Sequence, residues 1–107
     1  MKRLVFVISV FLIGTVIAVA CAAPEPASPD SDELYTTRCA ACHGVNREGV
    51  TGLGPTLTPE SLVELSDDDI RDMILNGRSG TVMTAFKGIL SPEQIDILLR
   101  LIKYTSP

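Results

Sequence analysis

The sequence predicts a small all-α domain of three to four short helices. Three observations carry this. Caps followed three residues later by an acid or amide recur at Asp30/Glu33, Ser66/Asp69 and Ser91/Gln94. That pairing satisfies the free N–H groups at a helix start. Behind two of the caps, apolar residues return at helical spacing: Ile70, Met73 and Ile74, then Ile95, Leu98, Leu99 and Ile102. Alternating apolar runs bounded by turn residues, the mark of strands, are weak.

The 107 residues allow one small domain. Lys2 and Arg3 precede an apolar run of 17 residues, Leu4 to Ala20, which ends in the small residues Ala18-Val19-Ala20. This is the pattern of a secretion signal. The run also stands at the lower edge of a bilayer span, roughly 17–25 residues. Residues 1–20 therefore read as a signal peptide or a membrane anchor. Ala18-Val19-Ala20-Cys21 loosely matches a bacterial lipobox, and lipidation of Cys21 is a third route, giving membrane attachment. Residues 21–31, with Pro24, Pro26 and Pro29, read as a Pro-rich tether. Every route places the working domain, 32–107, outside the cytoplasm, in the periplasm or on the outer face of the cytoplasmic membrane.

From Cys21 onward, 7 Lys and Arg stand against 13 Asp and Glu, a formal charge of −6. Phosphates repel such a surface, so no nucleic-acid partner is expected. Basic protein surfaces are compatible with it.

The first predicted helix, about 31–43, carries Cys39-Ala40-Ala41-Cys42-His43. This C-x-x-C-H pattern is the signature of covalent haem attachment. In that chemistry the Cys39 and Cys42 thiols add to the two haem vinyl groups, and the His43 imidazole reaches the iron. A zinc site needs four ligands, whereas the chain has 3 Cys and 1 His, and Cys21 lies beside the targeting segment. A thioredoxin-like redox pair wants a βαβ context, and none is visible. A domain of this size buries only roughly 60% of its unfolded surface and is marginal unless stapled. A bound haem supplies the missing core, so the haem-free chain is expected to be largely unfolded.

Further along, a short helix is possible from Pro59 to Leu65. The next predicted helix, 66–76, ends at Asn76-Gly77, and the last, 91–104, opens at Ser91-Pro92, with proline at the first helical position. With 1 His in the chain, a second histidine ligand is excluded. Lys87, Lys103 and the methionines remain. Met1 belongs to the leader, and Met73, on an apolar helix face, is expected in the core. Met83 stands in a loop, Gly80 to Phe86, with no helical stripe to serve, and is the expected second ligand. A thioether is soft and favours ferrous iron.

Taken in order, these segments resemble the small single-haem bacterial cytochromes c, the class I type. The resemblance covers 32–107. It rests on Leu34-Tyr35, Cys39 to His43, Gly52-Leu53-Gly54-Pro55-Thr56-Leu57, Ile74 to Arg78, Met83 with Phe86, and Leu90 to Ile95. It implies a compact cytochrome c fold around one covalent haem c, with the first and last helices crossing through Leu34, Tyr35, Leu98 and Leu101. It further implies that the Pro55 carbonyl accepts a bond from the second nitrogen of His43, with His43 and Met83 as metal ligands. Arg78 is a candidate partner of a haem propionate. The family's usual proline after the ligand methionine is replaced by Thr84, which leaves that loop less rigid.

Three functions follow as expectations. The first is a non-enzymatic one-electron carrier between redox proteins of the periplasm or membrane, docking through an apolar surface at Val45, Val50 and Leu53. The second is a gas-sensing or weakly peroxidatic haem protein with a labile Met83. The third is the haem subunit of a larger oxidoreductase complex.

Overall fold

A computed structural model describes residues 30–107. The expected leader at 1–20, Cys21 and most of the 21–31 tether lie outside the described residues. Four helices follow in order: α1 Ser31–Arg38, α2 Ala40–His43, α3 Asp67–Asn76 and α4 Pro92–Tyr104. Two isolated bridges, Val50 with Gly54 and Lys87 with Leu90, close loops, and no strand forms among the described residues. The all-α expectation holds.

Local chemistry sets the helix ends. The hydroxyl of Ser66 accepts from the Asp69 N–H while the Asp69 carboxylate accepts from the Ser66 N–H, both at 3.1 Å. Ser91 and Gln94 repeat this reciprocal cap at 3.1 and 2.9 Å, with Pro92 opening α4. Each cap satisfies N–H groups that the helix itself leaves free, and removing one costs about 1 kcal/mol. At α1, Asp30 accepts instead from Asp32. The predicted 31–43 helix breaks at Cys39, whose backbone (φ −121°, ψ −35°) leaves the helical region, so the haem motif starts its own turn.

The expected short helix at Pro59–Leu65 does not form; the segment is a chain of turns. Thr58 and Ser61 supply the reason. The Ser61 hydroxyl accepts from the Thr58 N–H at 2.9 Å and donates to the Thr56 and Thr58 carbonyls at 2.9 and 3.0 Å. Such local bonds offer the backbone an alternative to helix.

Helix α4 is the spine on which α1 and α3 pack. Ile95, Leu98 and Leu99 are its most deeply buried side chains, and Leu101 and Ile102 extend the stripe. Leu34 and Tyr35 meet it from α1, and Ile70 and Ile74 from α3. Burial of each such side chain contributes about 1.5–3 kcal/mol. A second tie joins α3 to the end of α4. Lys103 donates to the Asp67 carboxylate at 2.7 Å and to the Leu65 carbonyl at 2.8 Å, and the Tyr104 hydroxyl donates to Asp67 at 2.7 Å. These bonds hold the Asp67 carboxyl below its ordinary range. Among the described residues, no helix is long and apolar enough to cross a membrane.

Candidate functional site

The helices leave a cavity of about 560 Å³ between them. That lies within the roughly 300–1,000 Å³ of cofactor pockets. Cys39, Cys42 and His43 line it, as do Pro55, Arg78 and Met83, so all six candidate cofactor-binding residues line one space. The remaining wall is largely apolar, with Leu57, Leu62, Ile70, Ile74, Phe86 and Leu98 among its members.

His43 Nδ1 lies 2.8 Å from the Pro55 carbonyl oxygen. A carbonyl only accepts, so Nδ1 is the donor, and in the neutral ring Nε2 is the nitrogen that bears the lone pair. Such a bond fixes the ring's orientation and raises the ligand strength of the other nitrogen. Gly54 makes the approach possible. A Cβ there would stand 2.8 Å from His43 Nδ1 and Cε1 and 2.6 Å from the Cys42 carbonyl. Gly54→Ala is expected to push the imidazole off Pro55, costing about 1–3 kcal/mol as overpacking does. The check is the urea midpoint together with the haem spectrum of the matured variant.

The two thiols are half-buried. Burial, and secondarily Cys42, pushes the Cys39 thiol up to about 11. A redox-active pair needs the reverse, a thiol lowered into the physiological range. Nor does any group of three or more His, Cys, Asp or Glu among the described residues stand close enough to hold a metal ion. Both alternatives to haem lose ground on the geometry, while an apolar cavity bearing two thiols and an oriented imidazole fits haem c.

The Met83 loop is stitched to the end of α3. Phe86 and Lys87 N–H groups donate to the Ile74 and Leu75 carbonyls, each at 3.0 Å, and the Arg78 N–H donates to the Met83 carbonyl at 3.3 Å. The first two bonds use carbonyls that a helix C-terminus leaves free. Gly77 permits the crossing. Its φ of +71° and ψ of −169° fall in a region reserved for glycine, and a Cβ would stand 2.7 Å from the Met83 carbonyl. Gly77→Ala is expected to cost about 1–3 kcal/mol in strain and to loosen the loop. A lowered urea midpoint of the haem-loaded variant would report it.

Three placements differ from the sequence reading. Met73 is not core: it is half-buried, lines the cavity, and does not pack against the apolar cluster as Met83 does. Val45 lies apart from Val50 and Leu53, in a groove between α1 and the end of α4. Val82 takes its place, and Val50, Leu53 and Val82 share one depression, with Leu53 47% and Val82 57% exposed. Arg38, not anticipated, joins Arg78 at the cavity wall.

Two buried anchors brace the site from behind. The Tyr35 hydroxyl donates to the Gly44 carbonyl at 2.9 Å, and burial pushes it up to about 12. Arg47, only 5% exposed, donates through Nη1 to the Leu101 carbonyl at 2.5 Å and the Thr105 carbonyl at 2.7 Å. Nothing in the turn-like Asn46-Arg47-Glu48-Gly49 signals this in the sequence.

The family model described as cytochrome c oxidase, cbb3-type, subunit III, matches residues 27–102. The dihydro-heme d1 dehydrogenase of Pseudomonas aeruginosa is 42% identical over 76 residues, 71% of this chain, but the chain spans only 15% of that protein. Cytochrome c55X of Paracoccus denitrificans is 33% identical over 94 residues, covering 87% of this chain and 85% of its own. The solved structure of the c-type cytochrome NirC superposes with a TM-score of 0.63 at 32% identity, over 72% of this chain and 91% of that one. The chain belongs to the c-type cytochromes, in the family described as cytochrome c oxidase, cbb3-type, subunit III, and its cofactor is a covalently bound haem c.

Proposed function

We propose that this chain is a one-electron carrier and not an enzyme. When bound, the haem supplies an iron that alternates between ferric and ferrous. Cys39 and Cys42 tether the ring through thioethers, and His43 offers Nε2 to the iron. The single observation that carries this reading is the His43 Nδ1–Pro55 bond of 2.8 Å at the wall of an apolar cavity that Met83 also lines. Pro55 fixes the imidazole, and Met83 offers the second ligand. Arg78, with Arg38 beside the same cavity, is suited to pair with propionates, since a guanidinium matches a carboxylate fork.

The partners are redox proteins of the periplasm or membrane. Val50, Leu53 and Val82 give an apolar landing surface beside the cavity, and the acidic charge favours basic partners and sets the on-rate. An extracytoplasmic location, with cleavage, lipidation of Cys21 or a retained anchor, rests on the leader's pattern. A second reading, the haem module of a larger complex, is supported by the chain's 42% identity to a short stretch of a much longer dehydrogenase.

The test is the visible spectrum of the reduced, matured protein before and after carbon monoxide. An unchanged spectrum is expected, because a filled sixth site leaves no room for the gas. A shift to the adduct would replace electron carriage with gas or peroxide chemistry.

A further inference from the structure

Two methionines line the haem cavity, not one. Met73 projects from α3 between Ile70 and Ile74, and all three line the cavity. The two isoleucines are buried members of the apolar cluster. Met73 is half-buried, and neither belongs to that cluster nor packs on it. Its side chain is therefore committed to the cavity rather than to the protein core. The Met83 loop is bonded to the carbonyls of Ile74 and Leu75, the residues that follow Met73. One structural unit, the end of α3 with its loop, thus carries both methionines.

The two differ in how firmly they are held. Met73 sits on a regular helix. Met83 sits on a loop whose residues from Arg78 to Val82 are exposed, and which has Thr84 where a proline would stiffen it. Methionine is unbranched, with three rotatable bonds and a polarizable sulfur, and adapts to the space it is given.

We propose that Met73 is a reserve axial ligand, which takes the iron when the Met83 loop swings away. This rests on Met83 being the resident ligand. In the exchange the iron–sulfur bond to Met83 breaks and one to Met73 forms. No proton or electron moves, and the oxidation state is unchanged. Because a thioether replaces a thioether, loop opening leaves the iron shielded from gases and peroxide and preserves its preference for the ferrous state.

The experiment uses the full haem-loaded chain, with Met83→Ala, Met73→Leu and the double variant, read by spin state and by carbon monoxide titration of the reduced protein. Met73→Leu alone is expected to stay six-coordinate and low-spin, with Met83 on the iron. Met83→Ala is expected to stay six-coordinate and low-spin. The double variant is expected to be five-coordinate. If Met73 occupies the iron in about nine molecules of ten, carbon monoxide affinity in Met83→Ala is about tenfold weaker than in the double variant. Equal affinity in the two overturns the reserve role, as does a double variant that remains low-spin. If Met73→Leu alone opens the site while Met83→Ala changes nothing, Met73 is the resident ligand and the Met83 assignment itself fails. Should Met83→Ala not mature, Gly77→Ala loosens the loop without removing the sulfur. Adding Met73→Leu to it is then expected to raise carbon monoxide affinity, and no change overturns the proposal.

Discussion

The haem-free chain, made as the Cys39→Ser/Cys42→Ser double variant, is expected to lose its fixed tertiary structure. The cavity of about 560 Å³ sits among Leu62, Ile70, Ile74, Leu98 and Ile102, which are also core residues. Emptying it does not leave a side pocket beside an intact core; it removes one wall of that core. Enclosed void left in a core costs about 24 cal/mol per Å³, so even a quarter of this volume left dry costs roughly 3 kcal/mol. Whole domains have only about 5–15 kcal/mol of stability. Collapse would recover part of the loss, but α3 and the Met83 loop would have to move to achieve it. Near-UV circular dichroism of the haem-free variant is the check, with far-UV signal recorded beside it. Loss of the near-UV signal is expected. A native-like near-UV signal together with a cooperative urea transition would show that the helices hold the fold unaided.

Much of this site was legible because its signals are local. The caps at Ser66/Asp69 and Ser91/Gln94 depend on residues three apart, and both form as read. The cysteines and His43 lie within five positions, on one turn. Pro55, 12 positions beyond His43, followed from the resemblance and reaches it at 2.8 Å. The failures are of another kind. Periodicity places Met73 on the inward face of α3 but does not say whether that face meets leucines or a cofactor. Composition marks Val45 as apolar, yet the fold carries it to a different groove from Val50 and Leu53. The segment after Pro59 has helical composition but loses to Thr58 and Ser61, whose hydroxyl bonds hold the turns. Arg47 was invisible because its partners are 54 and 58 positions away.

Arg47 is where the second large effect is expected. A buried cation without a carboxylate partner is ordinarily expensive. Here the last turn of α4 provides the compensation. Leu101 and Thr105 present carbonyls at the negative end of the helix, and the guanidinium bonds both. The backbone of Arg47 is held at φ +60°, in the left-handed region, at about 1–2 kcal/mol for a residue with a Cβ. That strain is maintained by bonds at both ends: its N–H donates to the Gly44 carbonyl at 3.1 Å, and its carbonyl accepts from Leu57 at 2.9 Å. The segment between Arg47 and Leu57 contains Gly54 and Pro55, so the clamp secures the backbone that orients His43. Arg47→Met keeps the stem but takes the donor from the buried Leu101 carbonyl and the partly buried Thr105 carbonyl. Each charge-assisted bond is worth about 1.5–3 kcal/mol, so a loss of about 3 kcal/mol or more is expected. For a domain of this size that lowers the melting midpoint by roughly 15 °C. Arg47→Lys retains the charge but not the planar fork and is expected to recover about half. Thermal melts of the haem-loaded variants give the comparison. A Met variant within about 0.5 kcal/mol of the parent, the range of ordinary surface substitutions, would show that the α4 carbonyls find water instead and that the clamp does not hold the loop.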